Sequence, residues 1–153
     1  MTIKVVALDI YGTVLASDDY DSVAIPRNGL EKFFERCSSK KIRVVSASDS
    51  TQASSDIALV ANHHNLPWLV GGFSDHYTLD EYPKDFSRVS IGENVSPRDL
   101  LVIGDNYMNK DLRGAEAIGA PFVFVPEYLV SGKDDFSFDQ IDLDLGKRVR
   151  PKK

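Results

Sequence analysis

The sequence predicts an α/β fold with a central parallel sheet, and two observations support this prediction. Short apolar runs alternate along the chain with segments whose apolar residues recur at helical spacing. Runs that are almost wholly apolar, such as IKVVAL and LLVI, are typical of parallel strands buried on both faces. Because strands and helices alternate, βαβ units with helices on both faces of the sheet are expected. We therefore expect a Rossmann-like three-layer α/β/α sandwich.

The first half of the chain contains two predicted strands and two predicted helices. Residues 3–8 form a strand because the run is apolar and rich in β-branched side chains. A helix begins at Pro26, since proline suits a first helical turn and the apolar residues that follow repeat at i, i+3 and i+4. The second strand is predicted at 42–47. A second helix over 51–65 ends before Pro67.

The second half continues this alternation, with one stretch of loop. Residues 68–70 are apolar and predict a short strand, whereas 73–83 are polar and aromatic without a clear period and predict a loop. Gly119 is expected to end a helix as its C-cap. Beyond Glu127, weak alternation predicts a short edge element or loose chain. The remaining elements are a helix at 83–94, a strand at 100–103, a helix at 110–118 and a strand at 121–125.

Length and composition indicate one soluble domain. The chain has 153 residues, of which 42% are hydrophobic and 27% charged. Its single cysteine, Cys37, excludes an internal disulfide. No apolar run approaches the roughly 18 residues that span a bilayer, and the start of the sequence lacks signal-peptide features. We therefore expect a cytoplasmic protein that is not associated with a membrane.

Charge is distributed unevenly along the chain. The net charge is −5, but residues 1–146 hold 13 basic against 23 acidic side chains, a net charge of −10. We expect 1–146 to form the core domain and 147–153 to be a basic, flexible tail. An acidic body argues against nucleic acid as the main partner. The tail contains five basic residues: Lys147, Arg148, Arg150, Lys152 and Lys153.

Acidic residues follow two of the predicted strands. Asp9 ends the first strand, Asp105 follows the strand at 100–103 after a glycine, and Asp111 lies one turn further on. Ligands of parallel sheets bind beyond the carboxyl ends of the strands. Residues 48–49, which follow the second predicted strand, are therefore also candidate site residues. Convergent carboxylates repel each other unless a cation joins them, and hard oxygen ligands suit Mg²⁺ and a phosphate. Such a carboxylate can also act as a nucleophile.

Two motifs resemble those of the haloacid dehalogenase-like (HAD) hydrolase superfamily. VVALDIYGTVL resembles its first motif, and LLVIGDNYMNKDLRGAEAIGA resembles its fourth. The resemblance extends over about residues 3–125. It implies that Asp9 is the nucleophile and a metal ligand, and that Mg²⁺ is the cofactor. It also implies that a serine at the end of the second strand and a lysine hold the phosphoryl oxygens; these are Ser48, with Ser46 as the alternative, and Lys84.

The resemblance assigns the remaining site residues. Asp105 is a direct Mg²⁺ ligand, and Asp111 binds the ion directly or through water. The spacing between these two acids is six positions, where the family usually has four or five, so Asn109 is an alternative to Asp111. Tyr11 contributes its backbone carbonyl to the metal. Thr13, with the glycine before it, shapes the loop after the nucleophile.

Tyr11 departs from the phosphatase pattern. Family phosphatases carry an aspartate two residues after the nucleophile, which protonates the leaving group and activates water. Tyrosine, with an ordinary pKa of about 10, is a poor substitute. The sequence D-x-Y-G-T is instead that of the 2-haloacid dehalogenases, although these lack the aspartate that Asp105 provides. Only 38 residues separate Asp9 from Ser48 and 35 separate Ser48 from Lys84, which predicts a core without a cap domain.

Three functions follow from these motifs. The first is a Mg²⁺-dependent phosphatase that forms an aspartyl-phosphate at Asp9, acting on a small molecule or a phosphorylated macromolecule. The second is a carbon–halogen hydrolase that uses Asp9 without metal. The third is a degenerate HAD fold used for binding or regulation. Capless members of the superfamily often act on large substrates or close their site by oligomerising, so a homo-oligomer is a possible state.

Overall fold

Five parallel strands form the central sheet in the computed structural model, which describes residues 2–17 and 24–143. Their order across the sheet is β3-β2-β1-β4-β5, and every pairing is parallel. The strands are β1 (Val5–Leu8), β2 (Arg43–Ser48), β3 (Asp75–Thr78), β4 (Leu100–Gly104) and β5 (Phe122–Phe124).

Helices cover both faces of this sheet. Along β1, Val6 and Leu8 face the core shared with the first three helices, whereas Val5 and Ala7 face the core shared with the last two. This arrangement confirms the predicted three-layer sandwich. The helices are α1 (Leu30–Ser39), α2 (Ala53–His64), α3 (Pro67–Gly71), α4 (Ser87–Glu93) and α5 (Lys110–Ile118), with 3-10 turns at Pro97–Asp99, Tyr107–Asn109 and Phe138–Gln140.

The strand order reverses between β1 and β4. From β1 the chain runs outward through β2 to β3, then crosses to the other side of β1 and continues through β4 to β5. The carboxyl ends of β1 and β4 are held together beyond the strands, because the Asp9 N–H donates to the Ile103 carbonyl at 2.9 Å. A ligand of such a sheet binds at this reversal, which is where both strand-end aspartates lie.

The predicted strand at 68–70 is wrong, because this segment is part of α3. Pro67 occupies the first turn of the helix, where its missing N–H costs no hydrogen bond. Leu69 is buried, and the Trp68 ring packs edge-on against Phe34 of α1 with centroids 6.0 Å apart. A short apolar run has no period that separates a strand from a buried helical turn.

The predicted loop at 73–83 is also wrong in part, since it contains β3. This strand lies at the edge of the sheet and pairs with β2 alone. Asp75 and His76 are exposed, and the Tyr77 hydroxyl donates to Glu93 at 2.7 Å. Because an edge strand is solvated on one side, its sequence lacks the apolar run by which the buried strands were predicted.

Two helices begin later than their prolines predict. α1 begins at Leu30 rather than Pro26, and α4 begins at Ser87 rather than Pro83. The residue before α1 is a glycine with a left-handed φ of 79°, which interrupts any earlier helix. The Asp85 carboxylate accepts the backbone N–H of Ser87 at 3.1 Å in the turn that precedes α4. The lysine after Pro83 therefore lies in irregular chain.

The residues that follow Glu127 are neither an edge element nor loose chain, as far as the structure describes them. They pack irregularly against α1, and Arg36 of that helix donates to the carbonyls of Phe138 and Ile141 at 2.7 and 2.9 Å. The apolar side chains of this segment enter the core one at a time and not along one face of a strand or helix. This explains why apolar and polar residues alternate only weakly in its sequence. The buried side chains of this segment are Tyr128, Phe136, Phe138, Ile141 and Leu143.

Three sequence features lie outside the described residues. They are the aspartates between residues 18 and 21, the core boundary at 146 and the basic tail at 147–153. Within the described ranges, no helix is both long and apolar enough to cross a membrane.

Candidate active site

Three carboxylates meet at the carboxyl edge of the sheet. Asp9 follows β1, Asp105 follows β4, and Asp111 lies in the first turn of α5. One carboxylate oxygen from each lies within 4.8 Å of the others. Asp9 and Asp111 are buried and Asp105 is half-buried. The strand-end aspartates and the next acid therefore form one cluster.

The six-position spacing between Asp105 and Asp111 is absorbed by left-handed backbone. Asn106, Met108 and Asn109 have φ values of 61°, 54° and 61°, which are tolerated best by asparagine. The Asn106 amide donates to the Asn109 side chain at 3.0 Å, so that the Asn109 side-chain oxygen is engaged outside the cluster. The tight turn brings Asp111 into the group of carboxylates, whereas Asn109 is exposed.

Glycines allow the carboxylates to lie against the backbone. A Cβ atom at Gly104 would lie 2.5 Å from Oδ2 of Asp111. A Cβ atom at Gly12, whose φ is 83°, would overlap the Asp105 carboxylate. The cluster therefore needs glycine at both positions.

The Thr13 hydroxyl connects two of the acids. It donates to Oδ2 of Asp9 at 2.9 Å and accepts the backbone N–H of Asp105 at 3.0 Å. Because Thr13 is fully buried, this hydroxyl has a fixed position. It orients the Asp9 carboxylate and holds the loop after β1 against the end of β4.

Lys84 lies beneath the cluster. Its Nζ is 3.0 Å from Oδ1 of Asp9, 2.9 Å from Oδ1 of Asp111 and 2.9 Å from the Ala47 carbonyl. Burial by itself lowers the pKa of this amine, but the charges of Asp9 and Asp111 outweigh burial and raise the pKa above its ordinary value. Lys84 is therefore a permanent cation that compensates part of the acidic charge.

One lysine does not neutralise three carboxylates. Burial, followed by the charge of Asp9, raises the pKa of Asp105 to about 8. The same two causes raise the pKa of Asp111 to about 7, although Lys84 opposes the shift. Oδ1 of Asp105 is buried and has no hydrogen-bond partner among the described residues. These features fit a binding site for a cation.

The two candidate serines of β2 differ in their partners. Ser48, at the end of the strand, accepts the backbone N–H of Ser50 at 3.1 Å. The Ser46 hydroxyl is 2.8 Å from Nδ1 of His76 on β3, inside the sheet. Both serines are buried, and neither lines the cavity described below. Ser48 is the nearer of the two to the carboxyl edge, since it ends its strand.

Tyr11 makes a contact that the sequence did not predict. Its hydroxyl donates to the carboxylate of Asp56, which lies in the first turn of α2. Burial, followed by this hydrogen bond and the Asp56 charge, raises the pKa of Tyr11 above its ordinary value. The phenol therefore keeps its proton at neutral pH and is no substitute for a catalytic carboxylate.

Solved structures share this arrangement of strands and helices at low sequence identity. A HAD-superfamily hydrolase of subfamily IA from Geobacter sulfurreducens has a TM-score of 0.61 and 15% identity, over 84% of this chain and 94% of that chain. The chain has the HAD hydrolase fold. The N-terminal part of a Bacteroides fragilis protein, which contains a phosphatase domain and is complexed with Mg, has a TM-score of 0.61 and 14% identity, over 83% of this chain and 37% of that chain.

A third solved structure with a similar fold is a mutase. The β-phosphoglucomutase from Clostridium difficile has a TM-score of 0.54 and 19% identity, over 74% of this chain and 53% of that chain. No protein-family model and no curated protein matches the sequence. The resemblance carried by the two motifs is thus confirmed at the level of the fold.

A cavity of about 390 Å³ opens over the acidic cluster of this HAD fold. The cluster, Lys84 and Tyr11 form part of its wall. The sequence analysis identified Asp49 as a candidate, because it follows a predicted strand. It did not identify the other wall residues outside the motifs, because single polar residues in loops and at helix starts are usually solvated. The wall residues that the motifs did not single out are Ser17, Asp49, Tyr107, Lys110 and Glu127.

The residues of the cluster fit Mg²⁺. Asp9, Asp105 and Asp111 offer hard oxygen ligands, and the unpartnered oxygen of Asp105 is buried beside them. The predicted contribution of the Tyr11 backbone carbonyl stays a prediction.

Mg²⁺ is expected to stabilise the protein. At a concentration of about 100 times its Kd, a ligand of the native state adds about 2.7 kcal/mol to the free energy of unfolding. For a chain of this size, that gain raises Tm by about 5–10 °C. In Asp105→Asn the shift should be lost, whereas Glu116→Gln, an exposed acid on α5, should keep it. A full shift in Asp105→Asn, measured by thermal unfolding, would contradict the assignment.

Proposed function

We propose that the protein is a Mg²⁺-dependent phosphohydrolase that acts through an aspartyl-phosphate at Asp9. The observation that carries this proposal is the buried cluster of Asp9, Asp105 and Asp111 beside Lys84, with one Asp105 oxygen left without a partner. A phosphate monoester supplies anionic oxygens and an electrophilic phosphorus, and the cluster supplies a nucleophile and a place for the cation that phosphate requires.

Asp9 is positioned to be the nucleophile. Thr13 and Lys84 bind its two oxygens from the protein side, so the carboxylate cannot rotate freely. One Asp9 oxygen attacks phosphorus, and the bond from phosphorus to the leaving oxygen breaks with its electron pair on that oxygen. Water then hydrolyses the acyl-phosphate, which releases phosphate and restores the Asp9 carboxylate. Bound Mg²⁺ would neutralise the charge of the phosphoryl oxygens.

Protonation of the leaving group is the step that this site assists least. The Tyr11 phenol is bound to Asp56 and holds its proton tightly, so it contributes little general acid or base catalysis. Esters whose leaving group needs no proton, such as aryl phosphates, are therefore expected to be better substrates than alkyl phosphates.

Tyr11→Asp is expected to increase hydrolysis of an alkyl phosphate. Position 11 lines the cavity beside the acidic cluster, so the charges of these carboxylates would raise the pKa of the new carboxyl group toward neutrality, as a general acid requires. The expected gain in kcat is about 10- to 100-fold, at or below the lower limit of what a positioned acid provides. Tyr11→Asn is the matched control, because it has the same shape without a transferable proton. Equal rates for the two variants would show that proton transfer does not limit the reaction.

A second function is favoured by the same tyrosine. A halide leaves without a proton, so a carbon–halogen hydrolase would need no acid at this position. The experiment that tests the proposal measures hydrolysis of 4-nitrophenyl phosphate with Mg²⁺ and with a chelator, beside halide release from 2-chloropropionate. Turnover of the phosphate that the chelator abolishes is expected. Halide release that is unaffected by chelator would favour the second function. Mg²⁺ binding without either activity would indicate a degenerate HAD fold that serves in binding or regulation.

A further inference from the structure

Lys84 is enclosed by protein groups. Its Nζ donates to Oδ1 of Asp9 at 3.0 Å and to the Ala47 carbonyl at 2.9 Å, and Oδ1 of Asp111 lies 2.9 Å away as an ion pair. Its side chain is only 3% exposed. Lys84 therefore contributes charge to the floor of the cavity but is scarcely exposed to it, so a second cation in the wall would strengthen the binding of an oxyanion.

Lys110 is the other cation in the cavity wall, as far as the structure describes it. Its Nζ lies 2.6 Å from Oδ2 of Asp49, and the two side chains are 20% and 42% exposed. The ring of Tyr107 lies beneath the ammonium, 6.0 Å from it. An ion pair this exposed is weak, so Lys110 can exchange Asp49 for another anion at little cost.

The backbone fixes Lys110 beside the acidic cluster. It is the first residue of α5 and directly precedes Asp111, and its carbonyl accepts the backbone N–H of Lys84 at 3.3 Å. Asp49 directly follows Ser48 at the end of β2. The Lys110–Asp49 pair therefore joins the start of α5 to the end of β2 across the cavity.

The charge of the wall makes this lysine important. The cavity is lined by five carboxylates and two lysines, so an incoming phosphoryl dianion meets an excess of negative charge. We propose that Lys110 binds a non-bridging oxygen of the substrate's phosphoryl group, and that the phosphate displaces Asp49 from it. This inference rests on the proposed phosphohydrolase function. It assigns phosphate binding to a residue that neither sequence motif singled out for this role.

The test measures binding of inorganic phosphate, with saturating Mg²⁺, by isothermal titration calorimetry. Lys110→Met should weaken binding about 10-fold or more, as expected for a lost hydrogen bond between charged groups. Asp49→Asn should strengthen binding about two- to fivefold, because it frees Lys110 from its competitor. Lys40→Met is the matched control for the loss of one positive charge; it lies exposed after α1, outside the cavity, and should bind phosphate as wild type does.

Each outcome either supports or overturns the inference. Equal phosphate affinity in Lys110→Met and Lys40→Met, or no phosphate binding by wild type, would overturn it. A further comparison measures kcat/KM of Lys110→Met for 4-carboxyphenyl phosphate, which has a second anionic group, and for 4-carbamoylphenyl phosphate, which has none. If kcat/KM falls only for 4-carboxyphenyl phosphate, Lys110 binds the leaving group, and the inference is overturned. Phosphate binding that depends on Lys110, without any turnover, would support this inference while contradicting the proposed function.

Discussion

Asp9→Asn is expected to reduce hydrolysis of 4-nitrophenyl phosphate by at least about 10³-fold, as removal of a nucleophile does in other hydrolases. The amide is not nucleophilic, and within the cluster the Asp9 carboxylate is the one held by both Thr13 and Lys84. The rate should be measured with saturating Mg²⁺ and compared with that of Glu116→Gln.

The same variant is expected to fold as well as wild type. Asn at position 9 removes one of three neighbouring negative charges, while Lys84 keeps Asp111 and the Ala47 carbonyl as partners. Its Tm in the absence of Mg²⁺ should therefore be at or above that of wild type. Turnover near the wild-type rate would show that Asp9 is not the nucleophile. A low Tm would mean that lost activity reports unfolding, in which case Asp9→Glu, which keeps the charge but moves it, provides the test of position.

Arg27→Met is expected to lower the free energy of unfolding by about 3–5 kcal/mol, because it leaves the Asp134 carboxylate, whose side chain is only 9% exposed, without its partner. The guanidinium donates to both oxygens of Asp134, at 2.7 and 3.1 Å, and its side chain is 0% exposed. It also lies 4.5 Å from the centroid of the Phe136 ring and 5.2 Å from that of Tyr128. Methionine retains part of this packing but none of the charge.

Two further variants separate charge from packing at this site. Arg88→Met breaks an ion pair with Glu81 whose side chains are 45% and 39% exposed, and it should cost about 1 kcal/mol or less. The double variant Arg27→Met with Asp134→Leu replaces the buried pair by apolar side chains and should recover much of the lost stability. Urea unfolding measures all three. Equal losses for Arg27→Met and Arg88→Met would show that burial does not determine the cost.

The sequence predicts the strands that consist of continuous apolar runs. β1 and β4 are central strands with continuous apolar runs, and the acids after them follow from the geometry of a parallel sheet. β3 escaped prediction because its edge position allows polar side chains, and α3 because five apolar residues fit a helical turn as well as a strand.

Site residues outside the motifs escaped prediction for a different reason. Asp56 is brought to Tyr11 by the packing of α2, across 45 positions of sequence. Lys110 is joined to Asp49 across 61 positions. Neither lies at a spacing that a local pattern would reveal, and each alone has the character of a solvated surface charge.

The segment after β5 is hydrogen-bonded to the loop that follows Asp9. The Tyr128 N–H donates to the Gly12 carbonyl at 2.8 Å, its own carbonyl accepts the Ser17 N–H at 2.9 Å, and Arg27 reaches the Thr13 carbonyl at 3.4 Å. Segments linked in this way open as one cooperative unit in native-state hydrogen exchange. The amide protons of Asp105 and Tyr128 would then show the same free energy of opening, and a fluctuation that releases Tyr128 would also displace the loop that follows Asp9.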